Sequence, residues 1–336
     1  MHCNASLVDS AATGTDHRIL DMFRRRGDGI LSGEELSDAL HISRTAVWKH
    51  IKALRDLGYE IAAVPSRGYR LISAPNTLIP PELSAGLDAK RIGSRLVWYR
   101  EIESTNETAY QLAEEGAAEG TVVLAEAQRL GKGRLGRRWE SPDGVNLYCS
   151  VILRPPIAPM QAAQLTFSSA VAVARAIEQE TDLRPLIKWP NDVLVNGRKV
   201  AGLLNELSAE TEQVNFIILG IGVNLNMTCD QFPMELRHPA TSLLLEQEKA
   251  VDRQSFTRVL LRSLDDLYDS FLANGYKPIR DEWLARSTVM GRSVRVTVQE
   301  REVTGVVIGI DEYGALLLQV GEGSVEKILA GDVTLI

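Results

Sequence analysis

An α+β fold in several domains is predicted for this 336-residue sequence, because its hydrophobic periodicity changes character twice. Residues 18–72 hold three stretches of helical spacing followed by two strand-like runs. Residues 82–287 alternate strands with long amphipathic helices, as an α/β or α+β domain does, and the last part, 288–336, holds from residue 292 only short strand-like runs. At roughly 100–200 residues per domain, the length suits two or three domains with a sizeable core.

Residues 1–17 lack periodicity and read as a loose tail. From Arg18, Ile19, Leu20, Met22 and Phe23 cluster ahead of Gly27, and a second helix from Gly33 to Leu40 carries Leu36, Ala39 and Leu40 on its apolar side. His41-Ile42 makes a tight connection, and Ser43 caps a third helix in which Ala46, Val47, Ile51, Leu54 and Leu57 recur at helical spacing. Tyr59 to Val64 and Gly68 to Ile72 then read as a hairpin around Pro65-Ser66-Arg67. Three helices and a hairpin make a winged helix-turn-helix over 18–72. Its third helix sets Arg44, Thr45, Trp48, Lys49 and Lys52 on the more polar side, where a recognition helix meets the major groove. Ser43 starts that helix, and Arg67 at the hairpin tip reaches toward a neighbouring phosphate.

Pro75, Pro80 and Pro81 mark residues 73–81 as a linker. In the middle domain the long helices are Met160–Glu180 and Arg253–Ala273, the second stopped by Asn274-Gly275. The runs Val294–Val298, Val303–Ile310, Ala315–Gln319, Val325–Leu329 and Val333–Ile336 read as a small β-barrel or sandwich.

Composition narrows the function. Apolar residues at 45% and charged residues at 24% exclude collagen-like, coiled-coil and wholly disordered chains. The longest apolar stretch, Val214 to Leu225, contains Asn215, Gly220, Gly222 and Asn224 and is too short to span a bilayer, so no membrane partner is expected. The opening MHCNASLVDSAATGTD lacks the pattern of a secretory signal, which leads us to expect a cytoplasmic protein. Cys3, Cys149 and Cys229 form no CxxC pair, against a disulfide framework or a Cys-based zinc site. The net charge of −7 hides a contrast: residues 18–72 carry ten Lys/Arg and seven Asp/Glu. A basic module on an acidic body suits a small nucleic-acid-binding domain attached to an enzyme.

The richest stretch is Gly131-Lys132-Gly133-Arg134-Leu135-Gly136-Arg137-Arg138-Trp139, formally GxGxxG. A dinucleotide fingerprint needs a helix opening within it, and Ser141-Pro142-Asp143-Gly144 forbids one. What remains is a glycine-rich loop with four cations ending in an aromatic ring. Glycines allow close approach to an anion, guanidinium groups fork onto phosphate or carboxylate, and Trp139 stacks on a base. Such a loop is expected to repel itself, and so to be mobile, until an anion binds. Upstream, Ser104-Thr105-Asn106-Glu107 has the S-x-x-E capping-box form and puts Thr105 and Asn106 at a helix N-terminus.

Downstream lie Lys188-Trp189-Pro190-Asn191-Asp192, the hairpin signal Asn196-Gly197, and Arg198-Lys199-Val200-Ala201-Gly202. The hairpin sets Lys199 near Asp192 across two antiparallel strands, an arrangement that serves an ordinary cross-strand ion pair or a catalytic pair. Pro190 breaks the first strand and frees Lys188, Asn191 and Asp192 for a ligand. Finally Gly220 and Gly222, two apart on one strand ahead of Asn224, bare a strip of backbone on one face that leaves room for a flat ligand.

In this order, the winged helix, STN, the glycine/arginine loop and KWPNDV…GRKVAG resemble the biotin protein ligases of the bifunctional ligase/repressor type, from about Arg18 to Ile336. The resemblance implies a central mixed sheet related to class II synthetases and lipoate ligases, with an SH3-like C-terminal barrel over 288–336. It implies a two-step reaction: biotin and ATP form biotinyl-5′-AMP and pyrophosphate, and a lysine of a biotin carboxyl carrier protein takes the biotinyl group. By the same resemblance biotin lies against Ser104, Thr105, Asn106, Gln128, Gly131, Lys132, Gly133, Arg134, Lys199, Gly202, Gly220 and Gly222. ATP lies against Lys132, Arg134, Arg137, Trp139, Lys188, Asn191 and Asn224. Lys199 and Arg134 neutralise charge developing at the α-phosphate. Asp192 holds Mg²⁺ or accepts a proton from the incoming lysine, two roles the sequence leaves open. Lys132 stands where arginine is common, keeping the charge without the planar fork. A homodimer on a palindromic operator, repressing biotin synthesis or uptake genes, is also implied. The competing expectations are a non-catalytic biotin-sensing repressor, a lipoate or octanoate protein ligase, and a ligase whose N-terminal module is only structural.

Overall fold

The computed structural model describes residues 14–236, 239–298, 301–321 and 323–336. Helices α1 (Gly14–Arg26), α2 (Gly33–Leu40) and α3 (Arg44–Asp56) bury Ile19, Leu20, Phe23, Leu36, Val47, Ile51 and Leu54, the apolar positions of the helical spacing. Ser32 and Glu35 close a reciprocal capping box on α2, and the Ser43 hydroxyl accepts from Ala46 N at 3.1 Å to cap α3. Strands β1 (Glu60–Val64) and β2 (Gly68–Ser73) form the antiparallel wing. Leu31 exchanges two backbone hydrogen bonds with Tyr69, which pins the wing to the turn between α1 and α2.

Two boundaries differ from expectation. Residues 14–17 are helical rather than part of a loose tail, because Asp16 is buried against α3 with its carboxylate 2.8 Å from His50 Nδ1; the rest of that tail lies outside the described residues. The linker is not a free tether. Leu78 and Ile79 are fully buried, and α4 (Pro80–Ser84) begins inside it. The buried backbone finds partners in the domain that follows: Leu78 N donates to Glu126 at 2.7 Å, Asn76 O accepts from Arg253, and Pro75 O and Thr77 O accept from Gln254.

The central domain is one seven-stranded sheet, in the order β3-β4-β5-β9-β8-β7-β6. β3 (Arg95–Ile102) and β4 (Thr121–Gln128) are parallel, joined by the crossover helix α5 (Thr105–Glu114). β5 (Leu147–Leu153) is antiparallel to β4. Helix α6 (Gln164–Glu180) follows, then the antiparallel ladder of β6 (Pro185–Lys188), β7 (Asp192–Val195), β8 (Arg198–Ala209) and β9 (Val214–Val223). α7 (Leu243–Gln247), α8 (Arg253–Asn274) and α9 (Lys277–Ala285) complete the domain. Ile217, Leu219, Ile221 and Val223 face the core built on α6 and α8, whereas Phe216 and Ile218 face α5. On the α5 side that alternation continues into Gly220 and Gly222, so the sheet loses its side chains beyond the helix N-terminus, where the site lies.

Strands β10 (Ser293–Val298), β11 (Arg301–Ile310), β12 (Leu316–Val320), β13 (Ser324–Ile328) and β14 (Asp332–Leu335) form an antiparallel sheet ordered β13-β12-β11-β10-β14. Each corresponds to a predicted run within two residues. No helix among the described residues is long and apolar enough to cross a membrane.

Candidate active site

A cavity of about 430 Å³ opens on the α5 side of the sheet. Ser104, Thr105, Asn106, Gln128, Lys132, Gly133, Arg134, Arg137, Trp139, Lys188, Asn191, Asp192, Lys199, Gly202, Gly220, Gly222 and Asn224 all line it, which gathers the sequence-predicted residues of this domain in one place. Gly131 is the exception. It closes the base of the glycine-rich loop, where Trp139 N donates to Gly131 O at 2.8 Å and a side chain would meet Trp139 O.

The floor is made by omission. Gly202 and Gly222 face each other in register, and the Trp139 indole lies where either would carry a Cβ, at 2.8 and 2.7 Å. Gly220 likewise yields to Asn106, whose Oδ1 stands where a Cβ would be. The strip therefore receives protein side chains, an indole and an amide, that roof it and bound the cavity.

At the inner end, the expected capping box does not form. Ser104 occupies the N-cap position of α5 without a capping hydrogen bond from its side chain, and it lines the cavity. Thr105 N donates instead to Gln128 Oε1 at 2.9 Å, and Glu107 pairs with Lys132 at 3.2 Å. The Glu107 carboxylate that would have closed the box is thus taken by the loop, and β4 satisfies the first amide of α5, which the box would not have served.

At the outer end, each of the four loop cations has a partner, contrary to the self-repelling loop expected. Lys132 meets Glu107, Arg134 donates to Asn191 Oδ1 at 3.1 Å, Arg137 forks onto Asp332, and Arg138 meets Glu140 at 3.3 Å. Burial pushes the Arg134 guanidinium below its ordinary pKa, and the carboxylates of Asp332 and Asp192 oppose that. The chain reverses at Trp189-Pro190-Asn191, so the KWPND segment is a hairpin turn rather than a broken strand, with Lys188 opposite Asp192. Across the next hairpin, whose Asn196-Gly197 turn takes positive φ at both positions, Lys199 Nζ lies 2.6 Å from Asp192 Oδ1 and 5.4 Å from the Trp139 ring centroid. Glu246 fixes that hairpin by accepting from Asn196 Nδ2 and pairing with Arg198 at 2.7 Å.

Two parts of the lining carried no local sequence signal. Met227, Phe232, Pro233 and Leu236 come from an irregular segment after β9, and Asp332 and Val333 come from the C-terminal domain. In the winged helix, Ser43, Arg44, Thr45, Trp48, Lys49, Lys52 and Arg67 are all exposed. The Ser43 hydroxyl is engaged in capping, Arg44 pairs with Glu34 at 3.1 Å, and Lys52 lies over the Trp48 ring.

Comparison with known proteins decides the family. Residues 98–224 match the biotin/lipoate A/B protein ligase family, 16–70 an HTH domain and 289–335 the biotin protein ligase C-terminal domain. The chain is 40% identical over 317 residues to the bifunctional ligase/repressor BirA of Bacillus spizizenii, covering 94% of this chain and 97% of the relative. The chain belongs to the biotin protein ligases of the ligase/repressor type. Identity to the Escherichia coli BirA is 32%, over 90% of this chain and 92% of that protein. A structure of the Aquifex aeolicus biotin protein ligase with biotin and ATP aligns at TM-score 0.62 and 31% identity, covering 72% of this chain and 99% of that one. For this biotin protein ligase, the predicted order of winged helix, central sheet and C-terminal barrel holds.

Proposed function

We propose that this chain is an ATP-dependent biotin protein ligase that also represses transcription from operator DNA. The carrying observation is the Lys199–Asp192 pair at 2.6 Å, set in one cavity between the polar inner end at Thr105 and Gln128 and the cationic loop. A biotin carboxylate and an ATP α-phosphate are both anionic, so their approach needs fixed positive charge. Lys199 and Arg134 supply it. The carboxylate oxygen attacks the α-phosphorus, the bond to pyrophosphate breaks, and biotinyl-5′-AMP forms. The amine of a carrier-protein lysine then attacks the biotinyl carbonyl, AMP leaves, and Asp192 is placed to accept the proton lost by that amine.

Among the described residues no group of three or more His, Cys, Asp or Glu gathers to hold a metal. Asp192 and Asp332 at the cavity suit Mg²⁺, which takes one or two carboxylates and otherwise binds water and nucleotide phosphates. Such an ion would add charge neutralisation at the phosphates. The exposed face of α3 and Arg67 at the wing tip support DNA binding, and a homodimer is proposed to present two such faces to a palindrome.

Mass spectrometry tests the ligase. Protein incubated with Mg-ATP, a biotin carboxyl carrier domain and either biotin or lipoate should give a biotin-dependent mass gain on one carrier lysine. Gain with lipoate alone would make it a lipoate ligase, and no gain despite biotin binding would make it a sensing repressor.

A further inference from the structure

We propose that Ser150 and Glu206, neither of which lines the cavity, are positioning residues that make Thr105 an acceptor for a ring N–H of the ligand's head group. The inference rests on the biotin reading of the cavity. Its starting point is Asn106, which is buried on α5 directly over Gly220. Asn106 Nδ2 lies 2.7 Å from Glu206 Oε2 and 3.2 Å from Leu204 O. A carboxylate and a backbone carbonyl only accept, so the amide nitrogen must face them and both its protons are used.

The amide oxygen therefore faces Ser150, whose Oγ is 2.6 Å away. Ser150 is fully buried on β5 opposite Gly220 in the ladder, and its hydroxyl has one proton, which the amide oxygen takes. Thr105 Oγ1 lies 2.8 Å from Ser150 Oγ and 3.1 Å from Gln128 Oε1. With the serine proton spent, the threonine proton goes to Ser150 Oγ or Gln128 Oε1. Either choice leaves Thr105 Oγ1 able only to accept from a ligand. The direction of the chain is set at its far end, chiefly by the nearer Glu206 carboxylate and also by the Leu204 carbonyl, neither of which has anything to donate.

A cyclic urea ring carries N–H donors, and the dithiolane ring of lipoate carries none. A site built to hydrogen-bond a ligand N–H rejects a ligand lacking it far more strongly than an apolar pocket rejects a change of size. The network thus chooses between two head groups that are both small and apolar elsewhere.

Isothermal titration with biotin, and with an analogue in which a ring oxygen replaces one N–H, tests the assignment on full-length wild type, Ser150→Ala and Glu206→Gln. Both variants should bind biotin about tenfold more weakly and lose most of the discrimination between biotin and the analogue. KM for ATP in pyrophosphate release should stay within about twofold, a split that general loosening of the site would not give. Glu206→Gln changes no volume but lets residue 206 donate as well as accept, so the Asn106 amide is no longer held in one orientation from that side, and the variant decides the matter if Ser150→Ala does not fold. Wild-type biotin affinity in the folded variants, or equal losses for biotin and the analogue, would overturn the assignment. Failure of wild type to bind biotin would instead remove the functional reading beneath it.

Discussion

At the scale of single residues, Lys199 and Asp192 are the pair proposed to carry the chemistry, and their geometry follows from a two-residue turn and the register shift beside it. The Asn-Gly hairpin pairs Lys199 with Leu194, a register shift then sets Asp192 opposite Gly202, and the lysine side chain lies along Gly202 to bring its Nζ 2.6 Å from the carboxylate. Both side chains are partly buried, at 25% and 17% exposure, which strengthens the pair relative to an open surface one. Lys199→Ala should therefore lower the rate of adenylate formation at saturating biotin and ATP by about 10²-fold, as removal of a charge-stabilising group does. Pyrophosphate release is the measurement, and an unchanged rate would remove Lys199 from the reaction. The pair was legible in the sequence because its partners are close along the chain. Arg137 and Asp332 are 195 residues apart and were not.

At the scale of elements, local rules predicted the helices and strands well where backbone partners are local, and failed where a distant group competes. Ser43 caps α3 as expected, since its hydroxyl meets only its own helix. Ser104 does not close a capping box on α5, where Lys132 takes the Glu107 carboxylate and Gln128 from β4 satisfies the first amide. The recognition helix offers its own test. Arg44 is 69% exposed and pairs with an equally exposed Glu34, a contact of little value to stability. Arg44→Ala should leave ligation and folding unchanged, weaken operator binding, and reduce the salt slope by about one phosphate contact. Gel shifts over a salt series check this, and equal loss of ligation and binding would refute the division of labour.

The whole molecule is held together through the segment that the sequence marks as a linker. Arg253 and Glu126, with side chains 1% and 2% exposed, pair at 2.7 Å beneath it. Glu126 also accepts from Leu78 N and Trp98 Nε1, while Arg253 reaches Asn76 O and Asn146 O. On the other side, Glu82 of α4 accepts from Arg24 of α1 and from Tyr59, so the winged helix is tied to the same strap. Arg253→Met leaves the Glu126 charge buried without its partner, at a cost of about 3–5 kcal/mol. Urea unfolding should show that loss, and limited proteolysis should newly cut residues 73–81. Cleavage unchanged from wild type would mean that other contacts hold the strap.

Which elements form, and which chemical groups the site contains, is legible in the order of the residues alone. Capping residues, hairpin turns and apolar spacing act within a few residues, so they can be read without knowing the fold. Which partners those groups meet depends on the packed fold. Packing makes Gly220 and Gly222 a seat for Asn106 and Trp139, gives each loop cation a partner, brings Asp332 to the cavity and turns a proline-rich tether into a buried strap. Buried polar groups must all be satisfied, and in a packed chain the nearest donor or acceptor often lies far away along the sequence.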